Sequence, residues 1–102
     1  MNTYDVYYMQ SDRFRDFICG DEKPTVKELA DTHTLLKTVE AENLDMVYGM
    51  MQAEHWSPNG EARELIRSKG LRHTSMSVGD VIYDNNKHLY YVVSPVGFDL
   101  IF

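Results

Sequence analysis

The chain of 102 residues carries a formal net charge of −6; 43% of its residues are hydrophobic and 25% are charged. These proportions are typical of a folded globular domain and exclude the composition that keeps a chain disordered. No apolar run approaches the roughly 20 residues that cross a bilayer, and the acidic balance argues against attraction to nucleic acid or anionic membranes. We expect a single domain over residues 1–102 without membrane association.

The amino terminus and the cysteine content indicate a cytoplasmic location. The first residues lack the basic and apolar regions of a secretory signal. Cys19 is the one cysteine, which excludes an internal disulfide and fits a reducing compartment. We interpret Cys19 as a small buried hydrophobic residue rather than a reactive thiol.

Residues 4–9 are rich in strand-forming residues and predict a first β-strand. We expect this strand at an exposed edge of the sheet, where it would be free to pair with a second copy of the chain. A homodimer is therefore one hypothesis for the assembly.

The following segment is predicted to be helical before the chain returns to a strand. Residues 12–19 fit a short helix, and residues 20–24 break that pattern as a loop. Thr25 and Glu28 have the spacing of a capping box, which predicts the start of another short helix. Residues 32–41 set aliphatic and β-branched residues against polar ones, which predicts a second strand.

The clearest helical pattern covers residues 44–54, with Asn43 as its N-cap. The predicted apolar stripe consists of Leu44, Val47, Tyr48 and Met51. A second short helix is expected over residues 61–68, with Leu65 and Ile66 facing inward and Gly70 ending it.

The last quarter of the chain predicts a three-stranded antiparallel meander over residues 77–83, 88–94 and 98–102. Asn85 and Asn86 tolerate the positive φ that a tight hairpin turn needs. The middle strand is apolar on both faces and is expected inside the sheet. The fold class is therefore α+β: one antiparallel sheet of four or five strands, with two or three helices packed on one face.

Several motifs of the second half occur together: Thr74-Ser75-Met76-Ser77-Val78-Gly79-Asp80-Val81-Ile82, then Tyr90-Tyr91-Val92-Val93, then Gly97-Phe98. In this order they resemble a family of uncharacterised phage and mobile-element proteins related to the YodL-like domain. The resemblance covers residues 32–102 and implies an accessory role, in the host cytoplasm if the chain is phage-encoded. It implies no activity and no catalytic residues.

A second resemblance is shorter and points to a different function. The Gly79-Asp80 dipeptide before a strand is similar to the small β-barrels of the PUA and ASCH group, which bind RNA or nucleotides. The physical interpretation of the same dipeptide is a tight turn or bulge, with the Asp80 carboxylate bonded to nearby backbone amides.

The sequence shows no pattern of a cofactor, metal or catalytic site. The histidines are His33, His55, His73 and His88, and none has metal-ligand spacing. No phosphate-binding glycine loop and no Gly-x-Ser-x-Gly nucleophile motif occurs. Glu40, Glu42 and Asp45 near the start of the main helix suit its positive end, or else form an acidic recognition face.

We therefore expect a non-enzymatic protein that binds a host or phage protein, with nucleic-acid or nucleotide binding of the PUA/ASCH type as the alternative. No cofactor or metal is expected. The candidate binding residues are Trp56, as an exposed aromatic contact, together with His73, Asp80 and His88. A third hypothesis is an enzyme whose pocket brings His73, Asp80 and His88 together.

Overall fold

The computed structural model describes residues 1–10, 29, 32–71 and 73–101. The predictions for residues 12–19 and 20–24, for the helix after Thr25, and for Cys19 lie outside the described residues. The described strands are β1 (Asn2–Met9), β2 (His33–Ala41), β3 (Val81–Asp84), β4 (Leu89–Ser94) and β5 (Gly97–Leu100). The described helices are α1 (Leu44–Met50), α2 (Ala53–Trp56) and α3 (Arg63–Ser68). This α+β arrangement confirms the predicted fold class, and no described helix has the length and apolarity to cross a membrane.

The five strands form one antiparallel sheet in the order β2-β1-β3-β4-β5, and β3 to β5 are the predicted meander. β1 pairs with β2 on one side and with β3 on the other. The prediction that residues 4–9 form an edge strand is therefore wrong, and β1 has no free edge for a second copy. β1 belongs inside because it carries large apolar residues on both faces, including Val6 on one and Tyr7 on the other.

The helices cover one face of the sheet, as expected. Val47 of α1 and Ile66 of α3 belong to the same buried cluster as the β1 side chains of Tyr4, Val6 and Tyr8. A smaller buried cluster lies on the opposite face and consists of Leu29, Val81 and Val92, with Tyr7, Tyr90 and Ile101 packed against it. The alternation of neighbouring strand residues between the two faces follows from the pleat of each strand.

The predicted helix over residues 44–54 is in fact two helices, α1 and α2, separated at Met51 and Gln52. Asn43 caps α1 as predicted, because its side-chain oxygen accepts a hydrogen bond from the Met46 amide at 2.8 Å. The helix breaks where the Met51 carbonyl accepts the Met76 amide at 3.1 Å, with the Tyr8 hydroxyl 3.2 Å away. The bond from Met76 replaces the next helical hydrogen bond.

The predicted helix over residues 61–68 begins two residues later, as α3, and ends as expected. Gly70 has a φ of 71°, and the Leu71 amide donates to the Ile66 carbonyl at 3.0 Å, as in a Schellman cap. Ile66 is buried, but Leu65 is 37% exposed, so the prediction that both face inward is wrong for Leu65.

The start of β3 and the turn that follows it differ from the prediction. Residues 77–80 form a turn rather than the start of the strand, so β3 begins at Val81. In the β3–β4 turn the positive φ, 57°, belongs to His88 rather than to an asparagine. The Asp84 carboxylate accepts the Asn86 amide at 2.8 Å and the Lys87 amide at 3.1 Å. These bonds hold the first part of the turn, and the left-handed conformation falls on its last residue, His88.

Candidate functional site

Asp80 lies at the centre of a buried polar cluster at the start of β3. The Asp80 amide donates to the Ser77 carbonyl at 3.1 Å, and Gly79 has the positive φ, 98°, that the third position of a type II turn requires. The turn places the Asp80 side chain in the interior, where it is 0% exposed. Its carboxylate accepts the Met9 amide at 2.8 Å and the Ser77 amide at 2.9 Å, so it joins β1 to the turn. The predicted bonding of Asp80 to backbone amides is confirmed, and the bond to Met9 extends it across the sheet.

His73 completes the coordination of this carboxylate. Its Nε2 lies 3.0 Å from one Asp80 oxygen and 3.2 Å from the other, so Nε2 carries the proton that it donates. The imidazole stacks on the Tyr8 ring with a centroid separation of 4.6 Å and an interplanar angle of 13°. The Tyr8 hydroxyl lies 2.6 Å from the Thr74 carbonyl oxygen, and burial, with a smaller contribution from Asp80, raises the pKa of Tyr8.

His33 at the start of β2 adds a second histidine that the sequence analysis did not select. Its Nε2 donates to the Gly79 carbonyl at 2.7 Å, and its Nδ1 lies 2.8 Å from the Thr32 hydroxyl. Because a carbonyl only accepts, Nε2 carries the proton and Nδ1 of the neutral ring accepts from the hydroxyl. Burial lowers the pKa of His33, which favours this neutral form. No local spacing predicts the contact, since His33 and Gly79 are 46 residues apart.

The structure brings together two of the four candidate residues, His73 and Asp80. His88 is at the opposite end of β3, where its Nδ1 lies 3.0 Å from the Tyr83 hydroxyl. Trp56, expected as an exposed contact, is the last residue of α2 and is partly buried against the main core cluster. Its indole NH donates to the Thr74 carbonyl at 3.1 Å, and Lys37 Nζ lies 5.2 Å from the ring centroid. Among the described residues no three histidine, cysteine or acidic side chains are grouped to hold a metal ion.

The bonds around Asp80 give the cluster a structural role. A histidine oriented by a carboxylate is one arrangement in which an imidazole acts as a general base. Here, however, the carboxylate also accepts two backbone amides, and the imidazole lies flat on a buried tyrosine ring. Within the part of the chain that the structure describes, these groups connect β1, β3 and the segment before the turn to one another.

A groove with a different chemistry lies between α1 and the β4–β5 hairpin. It consists of two adjoining hollows of about 260 Å³ and 320 Å³, which share Asp45 and Phe98 as lining residues. The first hollow is also lined by Tyr48, Val78, Val93, Ser94, Pro95 and Gly97. The second is also lined by Asn2, Tyr4, Glu42, Asn43, Leu44, Asp84, Lys87 and Tyr91. We call the two together the α1–hairpin groove.

Two polar groups of the α1–hairpin groove, on Asp45 and Ser94, lack the hydrogen bonds that hold the groups around Asp80. The Asp45 carboxylate is exposed and has no hydrogen bond or ion pair within the described residues. The Ser94 hydroxyl oxygen is buried and lacks any hydrogen-bond partner there. Such an orphaned buried hydroxyl is unusual, because most buried polar groups in folded proteins are paired.

Apolar side chains surround the same groove on the outside of the molecule. Tyr48 is 37% exposed and meets Phe98 edge to face, with ring centroids 6.4 Å apart. Tyr48 belongs to the predicted apolar stripe but lies outside the core, and Phe98 is only partly buried. Met46 and Met50 of α1 are also exposed, and Val96 at the tip of the hairpin is 96% exposed. These are the residue types that protein interfaces use.

Comparisons with known proteins give no relative on which to base a function. No protein-family model matches the chain, and neither the curated proteins nor the solved structures provide a match.

Proposed function

We propose that this chain is a non-enzymatic domain that binds a partner protein through the α1–hairpin groove. The observation that supports the proposal is the contrast in bonding between the two polar regions. The groups around Asp80 are bonded to one another, whereas Asp45 and Ser94 in the groove have no partners within the described residues. The resemblance to phage and mobile-element proteins fits a partner that is a host or phage protein, which is the biological setting we propose.

The charge of the groove favours a protein over a nucleic acid. Asp45, Glu42 and Asp84 line it, and Lys87 is the cation among its lining residues. A carboxylate surface repels phosphate, while nucleic-acid binding depends on clustered lysine and arginine. The described strands also form an open sheet, unlike the small barrels of the PUA/ASCH alternative.

The proposal is tested by capturing partners from a host lysate with the full chain and with two charge-reversal variants. Asp45→Lys changes the groove, and Glu64→Lys, on an exposed position of α3 outside the groove, is the matched control. We expect one stoichiometric partner that is captured by the wild type and by Glu64→Lys and is lost with Asp45→Lys. A partner that binds all three equally, or no partner at all, contradicts the proposal.

The nucleic-acid alternative is tested by titrating single- and double-stranded oligonucleotides at low salt, where electrostatic binding is strongest. We expect no binding. Saturable binding that weakens with added salt would replace the protein-binding proposal with the alternative.

A further inference from the structure

We propose that the α1–hairpin groove recognises an arginine side chain presented by the partner protein. This inference rests on the proposed function and specifies the chemical group that the groove accepts. It is argued from the charge, the aromatic lining and the exposed carboxylates of the groove.

The negative charge of the groove favours a positively charged ligand. Three carboxylates line the groove, those of Glu42, Asp45 and Asp84, against the one ammonium of Lys87. Asp84 is engaged by the amides of the β3–β4 turn, whereas the Asp45 carboxylate, common to both hollows, has no cation in the described part of the chain. A cationic group therefore complements the groove at Asp45.

The aromatic lining selects a particular kind of cation. Tyr48 and Phe98 line the first hollow, and Tyr91 and Phe98 line the second. Cations bind favourably over aromatic rings. A guanidinium is planar, stacks on such rings and is more weakly hydrated than an ammonium, while its fork of donors matches a carboxylate. Arginine therefore fits this lining better than lysine does.

The donor geometry of a guanidinium fits the same groove. A guanidinium offers five N–H donors, and the exposed carboxylates of Glu42 and Asp45 line the groove as acceptors.

The test is a titration of the full chain, followed by backbone amide NMR, with capped Gly-Arg-Gly, Gly-Lys-Gly and Gly-citrulline-Gly peptides. Citrulline keeps the shape of arginine but carries no charge. We expect saturable shifts at Asp45, Ser94 and Phe98 with the arginine peptide, weaker binding of the lysine peptide, and no saturable shift with citrulline. Equal binding of arginine and lysine, or of arginine and citrulline, overturns the assignment, as does the absence of binding.

Two variants locate the binding in the groove. Asp45→Asn should weaken binding of the arginine peptide about three- to five-fold, the range of an exposed ion pair. Glu64→Gln on α3 should leave the affinity unchanged, and circular dichroism confirms that both variants are folded. Equal affinities of Asp45→Asn and the wild type contradict the inference.

Failure of this inference is distinguishable from failure of the proposed function. If the lysate partner is lost with Asp45→Lys while the arginine peptide does not bind, the groove is the interface but the recognised group is not arginine. If partner capture does not depend on Asp45, the proposed function itself is wrong.

Discussion

The Asp80 cluster and the α1–hairpin groove each contain a carboxylate, but Asp80 and Asp45 differ in their hydrogen bonding. In the cluster, a fully buried carboxylate accepts two amides and an imidazole from three different segments. In the groove, the Asp45 carboxylate is exposed and the Ser94 hydroxyl is unpaired within the described residues. The Asp80 carboxylate is therefore held by the fold, whereas the exposed Asp45 carboxylate remains available to a ligand.

This difference predicts opposite responses to mutation. Removing a buried acceptor leaves its donors unsatisfied, whereas removing an unpartnered group leaves nothing unpaired. Changes in the cluster should alter the free energy of unfolding, and changes in the groove should alter binding.

Asp80→Ala should have the largest effect on stability. It leaves the buried Met9 amide and the Ser77 amide without an acceptor, and we expect a loss of about 2–5 kcal/mol in the free energy of unfolding. Urea denaturation measures the change. Asp45→Ala is the matched control and should cost less than about 1 kcal/mol. Similar losses for the two variants would contradict the distinction between the regions.

Gly79→Ala tests the turn that positions Asp80. The φ of 98° at Gly79 is unfavourable for a side chain, so the variant should lose about 1–2 kcal/mol of stability. Gly49→Ala in α1 is the control, because an added Cβ there meets no atom within 4 Å. It should gain about 0.5–1 kcal/mol, since alanine favours the helix. A tolerated Gly79→Ala would show that the turn does not fix Asp80.

The pH dependence of stability tests the buried neutral His33. Burial lowers its pKa below the value of about 6.5 that it has in the unfolded chain. Below about pH 6.5 the unfolded chain therefore takes up a proton more readily than the folded chain, and the free energy of unfolding falls until the folded pKa is reached. Urea denaturation at several pH values across this range should show that the free energy of unfolding changes less with pH in His33→Gln than in the wild type. The same pH dependence in both proteins would mean that His33 does not contribute to it.

Ser94→Ala should have the smallest effect, and its sign is informative. Because the hydroxyl is buried without a partner in the described residues, its removal should be neutral or should stabilise the chain by up to about 1 kcal/mol. Ser57→Ala is the control: the Ser57 hydroxyl accepts the Ala62 amide at 2.8 Å, so its loss should destabilise by about 1 kcal/mol. Equal destabilisation by both variants would show that Ser94 is paired.

Local patterns in the sequence predicted the elements of the fold better than their arrangement. The strand pattern of residues 4–9 was identified, but its place between β2 and β3 depends on pairing with residues far along the chain. The apolar residues on both of its faces were the available signal, and the same argument placed β4 correctly. The break after α1 was not predictable, because the amide that binds the Met51 carbonyl belongs to Met76, far along the chain.

In the candidate site, too, features that depend on neighbouring residues were predictable and contacts between distant segments were not. The turn at Gly79 and the role of Asp80 in it were predicted, because they depend on neighbouring residues. The stacking of His73 on Tyr8 and the bond from His33 to Gly79 join distant segments, so no spacing reveals them. Asp45 was recognised only as an acidic residue near the start of a helix. The α1–hairpin groove exists because the tertiary fold brings that helix beside Phe98.

The most direct test of the account compares the affinity of the captured partner for His73→Gln and for Asp45→Lys. His73 touches Asp80, and its side chain is 28% exposed, so it is the member of the cluster best placed to meet a ligand. We predict that folded His73→Gln binds the partner like the wild type, whereas Asp45→Lys does not bind it measurably. Loss of binding with His73→Gln and full binding with Asp45→Lys would show that the cluster is the functional site and the groove is not.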